Sequence, residues 1–375
     1  MARHNGMTNI IRDNDPRYYI DKEELTKEDI IRVIDEVNSN IAENTGFDYH
    51  VLSLTGLGGR GKSMLIRQVI NMLECRADQY TFINFETQYN GIRNRLDFML
   101  ELRNILVKKY NFVFPNFDLY AIVASSPSQC RLSNYNGNGK RNMSVSSLRA
   151  MGEEGLKLIL DTFSLSFVNI FIEGIKDLKQ SKSNQKFQRI INNLEEDLCS
   201  EPREFFYNLR EAFIIDYNAN VKKYGKALVH VIDSFENYPN NDSHWLFDYS
   251  NSNDSPNGLC HCLDKTVWII SSRECLPLVQ EMGWDENYSS IYNVDKFTLV
   301  DTSHYLSKWG IEESNKNIFY EFTKGEPLLS FYLSKKIAQS NKSSEDVLRH
   351  FSNDSDIEEE LVLRYLKYLE SEVET

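Results

Sequence analysis

The chain has 375 residues, of which 41% are hydrophobic and 26% are charged, as expected for a globular protein with more than one domain. Its formal net charge of −13 argues against broad binding of nucleic acid, because that binding needs clustered positive charge. It has no eighteen-residue apolar run and no apolar amino-terminal segment, so we expect no membrane span, no secretion signal, a cytoplasmic location and reduced thiols for its six cysteines.

The amino-terminal part leads into a predicted helix. Residues 1–16 are polar, and we expect them to be flexible. Thr26 and Asp29 have the spacing of a capping box, with Asp in place of the usual Glu. Apolar residues then recur at helical spacing from Ile30 to Val37, which predicts a helix immediately before the first strand.

A glycine-rich loop follows that first strand. Residues 56–63 read GLGGRGKS and match the phosphate-loop pattern G-x-x-x-x-G-K-[ST], with an apolar strand pattern at residues 51–55 before it and a helical pattern at residues 63–70 after it. The glycines let the backbone wrap a phosphate, and the N–H groups at the helix start point toward the anion. We therefore predict that a nucleotide contacts Gly56, Gly58, Gly59, Arg60, Gly61, Lys62, Ser63 and Met64.

Two side chains of this loop have distinct predicted roles. Lys62 places its charge on the β- and γ-phosphates, and the hydroxyl of Ser63 binds Mg²⁺. The predicted cofactors are therefore ATP or ADP together with Mg²⁺. The helix before the loop either lies near the base or serves only for packing.

The next elements alternate between strand and helix. Residues 80–85 predict a strand and residues 96–110 an amphipathic helix, so the fold class is α/β with a parallel sheet and helices on its faces. The alternation stops over residues 115–200, which we interpret as a helical insertion. Four basic residues in it form either a contact for a phosphate-bearing partner or a solvated loop: Arg131, Lys140, Arg141 and Arg149.

Two later strands end in candidate catalytic residues. Residues 226–233 form an apolar run that predicts a central strand, which places Asp233 at the carboxyl edge where α/β sheets bind ligands. There Asp233 can hold Mg²⁺ through water, and Glu236 either polarises an attacking water or caps the next helix. Residues 266–273 predict a further buried strand, whose Arg273 either contacts the γ-phosphate or forms a surface salt bridge.

The remaining elements are a short strand at residues 291–294 and helices from residue 298 onward. Gly325 can end one of these helices and Pro327 can start the next. Cys260, His261 and Cys262 are of metal-ligand type, but no second pair at zinc spacing accompanies them, and we predict no zinc site there.

Taken in order, these motifs resemble the STAND class of P-loop NTPases, which contains the NB-ARC and NACHT modules and their bacterial relatives. The resemblance rests on the loop at residues 56–63, the strand ending at Asp233 with Glu236 after it, the Ser-Ser-Arg strand end at Arg273, and the G-x-P step at residues 325–327. The spacing of the two acids is also similar to that of initiator-type AAA+ ATPases.

This resemblance implies a nucleotide-gated switch, in which ADP holds a closed monomer and exchange for ATP lets subunits assemble, with slow hydrolysis. It implies phosphate and Mg²⁺ contacts for Lys62 and Ser63, the Walker B role for Asp233, sensing of the γ-phosphate by Arg273, and packing of Pro327 beside the adenine. It also implies partners, either further copies of the chain or a protein that carries the sensor or effector. A role in bacterial defence or signalling follows from the resemblance alone.

The sequence departs from the family pattern in its organisation, because Asp233 lies far along the chain from Ser63 and little follows Pro327. We therefore expect a core at residues 17–295, interrupted by the insertion at residues 115–200, and a helical lid at residues 296–375 that ends near the start of a winged-helix region. Two other functions stay open: an AAA+-like ATPase that acts on DNA and a small-molecule kinase.

Overall fold

The computed structural model describes residues 19–23, 25–46, 48–85, 92, 95–124, 202–238, 244–247, 258–273, 276, 284, 287–340 and 343–353. The strands are β1 (Tyr49–Thr55), β2 (Tyr80–Asn84), β3 (Leu228–Asp233), β4 (Thr266–Ser271) and β5 (Ser289–Asn293). They form one five-stranded sheet in the order β2-β3-β4-β1-β5, and every neighbouring pair is parallel. The predicted α/β fold with a parallel sheet is confirmed.

Helices surround this sheet and continue beyond it. They are α1 (Lys27–Glu43), α2 (Lys62–Cys75), α3 (Arg95–Tyr110), α4 (Pro115–Ala124), α5 (Pro202–Val221), α6 (His244–Phe247), α7 (Leu259–Cys262), α8 (Leu299–Trp309), α9 (Lys316–Thr323), α10 (Pro327–Gln339) and α11 (Ser344–Asn353). Within the described ranges, none of these helices is both long enough and apolar enough to cross a bilayer.

The sheet is buried on both faces because its central strands are apolar throughout. All residues of β3 and β4 are buried, and alternate side chains point to opposite sides. Leu228 and Ile232 enter a core shared with α3, α4 and α5, whereas Val229 and Val231 enter a core shared with α1 and α2. This layering leaves the carboxyl ends of the parallel strands as the edge at which a ligand can bind.

Helix α1 begins at the predicted capping box. The backbone N–H of Thr26 donates to Oδ2 of Asp29 at 2.9 Å, and the backbone N–H of Asp29 donates to Oγ1 of Thr26 at 3.2 Å. Asp29 therefore replaces Glu in this motif without loss of either bond, and both bonds satisfy N–H groups at the helix start that have no intrahelical acceptor.

Helix α4 is the described part of the predicted insertion, and buried polar side chains fix it to its neighbours. Oδ2 of Asp216 on α5 accepts the backbone N–H groups of Asn116 and Phe117 at 2.8 and 2.9 Å, at the start of α4. Arg103 of α3 donates from Nε and Nη2 to the two carboxylate oxygens of Asp118 at 2.9 and 2.6 Å. Residues 125–201, which hold the rest of the predicted insertion and its basic stretch, lie outside the described residues, as do the amino-terminal residues 1–16.

A third core belongs to the carboxy-terminal helices. It contains side chains of α8, α9, α10 and α11 together with Phe297 and Ile311, and the amino-terminal residue Ile20 packs into it. The amino-terminal segment is therefore joined to the predicted lid, an arrangement that hydrophobic periodicity alone does not reveal.

Candidate functional site

The turn from β1 into α2 has a backbone that only glycine adopts readily. The φ angles of Gly56, Gly59 and Gly61 are 140°, 76° and 95°. At Gly56 space is also limiting, since a Cβ atom there would lie 2.6 Å from the carbonyl oxygen of Val294. The glycines at these three positions are therefore required by the loop geometry itself.

Helix α2 starts in a way that suits an anion. Its N-cap is Gly61, which offers no side-chain cap, and its first turn contains no acidic residue. The first N–H groups of an α-helix lack intrahelical acceptors and carry a partial positive charge. The backbone of Lys62, Ser63 and Met64 therefore lies where a phosphate oxygen is favoured.

The side chain of Lys62 lies across the loop. It is 8% exposed, and its Nζ donates to the carbonyl oxygens of Gly56 at 2.5 Å and Leu57 at 3.2 Å. A charge-assisted bond to a phosphate oxygen is stronger than a bond to a neutral carbonyl. We therefore expect the amine of Lys62 to exchange its bonds to the loop carbonyl oxygens for a bond to a phosphate oxygen when phosphate binds.

Asp233 is the last residue of β3 and is 2% exposed, with Oδ1 accepting the backbone N–H of Ser234 at 3.0 Å. Strand β4 separates β3 from β1, so the ends of these two strands are about 10 Å apart at the usual strand spacing. That span suits an acid that contacts Mg²⁺ through water while Ser63 contacts the same ion from the loop side. The donor set fits a magnesium nucleotide.

Glu236 and Arg273 are brought together. The Nε of Arg273 donates to Oε1 of Glu236 at 3.0 Å, and the backbone N–H of Arg273 donates to Oε2 at 3.2 Å. Glu236 lies in a one-turn 3₁₀ helix, Phe235–Asn237, directly after β3, and Arg273 lies directly after β4. Each of the two candidate catalytic side chains is therefore a partner of the other, and the sequence patterns gave no sign of this pairing.

Arg60 and Pro327 connect the loop with the carboxy-terminal helices. The guanidinium of Arg60 lies 3.0 Å from Oδ1 of Asp295 and 3.4 Å from Oε1 of Glu326, so its backbone, rather than its side chain, is what the loop presents to a phosphate. Pro327 is buried as the first residue of α10, and a Cβ atom on Gly59 would lie 3.2 Å from Cβ of the next residue, Leu328. The G-x-P step thus lies beside the phosphate loop.

Sequence reasoning missed two residues at this edge. Asn84 ends β2 in register with Asp233, and Lys22 donates from Nζ to the backbone carbonyl of Arg60 at 2.9 Å. A polar residue closing an apolar strand was the available signal for Asn84. Lys22 belongs to no motif, and only the tertiary structure places it against the loop.

The Cys260–Cys262 stretch forms the short helix α7 and takes part in packing. Nδ1 of His261 is 2.6 Å from the hydroxyl of Tyr49, and burial raises the pKa of the Cys262 thiol to about 11. Among the described residues, no group of three or more side chains has the arrangement of a metal site built from His, Cys, Asp or Glu.

The comparisons with known proteins give weak likenesses. The chain matches no protein-family model, and no curated protein matches its sequence. Among solved structures it is similar to the Walker-type ATPase PABY2304 of Pyrococcus abyssi, at 14% identity and a TM-score of 0.40, over 95% of this chain and 80% of that one. It is also similar to Cdc6p from Pyrobaculum aerophilum, at 11% identity and a TM-score of 0.39, over 86% of this chain and 65% of that one. Assignment of the P-loop α/β fold therefore rests on the strand order and on the geometry of the glycine loop.

Proposed function

We propose that this protein binds ATP and ADP with Mg²⁺ at residues 56–63 and works as a STAND-type switch, in which slow ATP hydrolysis gates a conformational change and self-assembly. The observation that carries the proposal is the start of α2, where a glycine N-cap leaves the helix terminus uncapped beside Lys62. Phosphate is the ligand that such a terminus suits best. The order of the sequence motifs supports the STAND assignment and, with it, a role in defence or signalling.

Different residues at the sheet edge bind the phosphates and the cation. The backbone of the loop and the amine of Lys62 hold the phosphates, while Ser63 and Asp233 offer oxygen ligands for the cation, directly and through water. Mg²⁺ supplies neutralisation of charge on the phosphate oxygens when it is bound. Leu328, which lies beside Gly59, and the preceding residue Pro327 are described candidates for contact with the rest of the nucleotide.

The pairing of Glu236 with Arg273 supports slow turnover. A carboxylate that polarises an attacking water needs its oxygens free for that water, and both oxygens of Glu236 accept bonds from Arg273. Only the bond to Oε1 comes from the arginine side chain, whose N–H groups also bind phosphate, whereas the bond to Oε2 comes from the backbone N–H and does not depend on the side chain. We therefore assign Arg273 the role of leaving Glu236 for the γ-phosphate, so that the base becomes available only when ATP occupies the site.

Nucleotide content and affinity test the proposal. We expect the purified protein to release ADP on acid treatment and to bind ATP and ADP with Mg²⁺ in calorimetry. The Lys62→Ala variant loses charge-assisted bonds to phosphate worth about 3 kcal/mol, which weakens binding on the order of 100-fold. Lys308→Ala, which removes an exposed lysine of α8, is the matched control and leaves the affinity unchanged.

Other outcomes would redirect the assignment. Equal affinity in Lys62→Ala and the wild type would rule out phosphate binding at this loop. ATP turnover that rises with DNA at low salt and falls as salt is added would favour an ATPase that acts on DNA. Turnover that depends on a small hydroxyl or amine acceptor would favour a kinase.

A further inference from the structure

A cluster of charged side chains lies where the amino-terminal segment, the phosphate loop and the carboxy-terminal helices meet. We call it the hinge cluster; its members are Lys22, Arg60, Asp295, Lys296 and Glu326. Its residues come from four separate stretches of the chain, and one of them, Arg60, is part of the loop that precedes α2. The proposed function assigns no task to these side chains.

Arg60 bridges two carboxylates on the carboxy-terminal side of the cluster. Its guanidinium is 3.0 Å from Oδ1 of Asp295, two residues after β5, and 3.4 Å from Oε1 of Glu326, the residue before α10. The side chains of Arg60 and Glu326 are only 8% and 17% exposed, so water screens this pair weakly, whereas Asp295 is 56% exposed. The planar fork of arginine suits two acceptors held at a fixed separation.

Lys22 connects the phosphate loop to the segment after β5 by bonding to the backbone of each. Its Nζ donates to the carbonyl oxygen of Arg60 at 2.9 Å and to that of Asp295, and burial lowers its pKa to about 8. The next residue, Glu23, donates its backbone N–H to Oδ1 of Asp301 in α8 at 2.8 Å. The amino-terminal segment thus bonds to the loop on one side and to the first helix after β5 on the other.

The segments after β5 and before α10 are also bound to each other. Glu326 lies 2.9 Å from Nζ of Lys296, and the backbone N–H of Phe297 donates to the carbonyl oxygen of Gly325 at 2.8 Å. A Cβ atom at Gly325 would lie 2.3 Å from the carbonyl oxygen of Phe297, so this approach requires glycine. The segments that carry Asp295 and Glu326 are therefore bonded to each other at the start of the carboxy-terminal helices.

We infer that Arg60 is a latch, a positioning residue through which the conformation of the phosphate loop is coupled to the position of the carboxy-terminal helices. The inference rests on the proposed function. The backbone of Arg60 belongs to the loop that meets the phosphate, whereas its side chain is bound to the two hinge carboxylates. A shift of the loop on nucleotide binding is therefore transmitted to Asp295 and Glu326. By linkage, the position of the helices changes the free energy of nucleotide binding by the same amount.

Hydrogen exchange with and without ADP tests the latch. In the wild type we expect ADP to slow exchange across residues 295–327. In Arg60→Met and in Glu326→Gln, both close to the native side chain in volume, we expect ADP still to bind while its protection of residues 295–327 falls at least about fivefold. Arg60→Lys keeps the charge but not the fork, and we expect intermediate protection.

The control and the contrary outcomes separate coupling from folding and from binding. Lys316→Met removes an ion pair with Glu313 within the carboxy-terminal helices and should leave the ADP effect intact. If Arg60→Met and Glu326→Gln fold, bind ADP and keep the full protection, the latch is overturned and the proposed function stands. If the wild type binds no nucleotide at all, the proposed function fails and the latch fails with it.

Discussion

Glu236 and Arg273 pair because the strands that carry them, β3 and β4, are neighbours in the sheet. Parallel strands end at the same edge, so residues just beyond the two ends come within reach of each other. The sequence predicted each residue from its strand separately. It did not predict the strand order, and adjacency of β3 and β4 is what turns two separate candidates into one ion pair.

Single-turnover hydrolysis tests the roles of this pair. Glu236→Gln keeps the shape and an acceptor oxygen but removes the base, so we expect hydrolysis about 100-fold slower or more, with ATP affinity within a few-fold of the wild type. Arg273→Ala removes the side-chain bond to Oε1 of Glu236 and also the group assigned to the γ-phosphate, while the backbone bond to Oε2 remains, so we expect slower hydrolysis and a loss of preference for ATP over ADP. Unchanged hydrolysis in Glu236→Gln would show that Glu236 is not the base.

The residues of the loop differ in how well the sequence predicts them. The motif requires glycine at Gly56 and Gly61, and their positive φ angles show the physical reason. The motif does not specify the side chain of Arg60, whose partners Asp295 and Glu326 are more than 200 positions away in the sequence. Local patterns predict backbone geometry, whereas ion pairs between distant segments depend on tertiary structure.

At the scale of elements, α4 is held by the carboxylate of Asp216, which forms no ion pair with a cation among the described residues. Asp216 is 3% exposed and bonds to the backbone N–H groups of Asn116 and Phe117, with Asp118 nearby. Burial raises the pKa of Asp216 to about 7, outweighing the bonds that favour its ionised form. Asp118 lies close to Arg103, yet burial raises its pKa as well.

This geometry predicts a pH-dependent stability. Because the folded state holds the Asp216 proton more tightly than the unfolded state, its contribution is present below about pH 4 and is lost as the pH rises toward 7. We expect the free energy of unfolding from urea titrations to fall by on the order of a few kcal/mol across this window, and Asp216→Asn to remove that part of the slope.

Two comparisons make the pH measurement specific. Glu43→Gln changes an exposed carboxylate of α1 and should keep the wild-type slope. A stability that rises between pH 4 and 7 by the same amount in the wild type and in Asp216→Asn would contradict a protonated Asp216 in the folded protein.

At the scale of the whole molecule, element types were predictable and their assembly was not. The capping box of α1, the apolar run of β3 and the Gly325–Pro327 step each fixed an element from local sequence. The packing of Ile20 into the third core joins the two ends of the described chain, and no local pattern signals such a contact. Long-range contacts of this kind also produce the hinge cluster, so the coupling of loop and helices is a property of the folded molecule.

Self-assembly is the part of the proposed function that is tested at the scale of the whole molecule. ATP differs from ADP by the γ-phosphate, which we assign to Arg273, whereas in the proposed function both nucleotides contact Lys62 and the loop that contains Arg60. We therefore expect sedimentation velocity to show a monomer with ADP and Mg²⁺ and larger species with a non-hydrolysable ATP analogue.

The Lys62→Ala variant should stay monomeric with either nucleotide, because it binds neither well. If Arg60 is the latch, the analogue should still bind to Arg60→Met but should no longer cause assembly. The reason is that a change in the loop conformation is then not transmitted to the carboxy-terminal helices. Assembly of the wild type to the same extent with ADP, with the analogue and without nucleotide would contradict a nucleotide-gated switch.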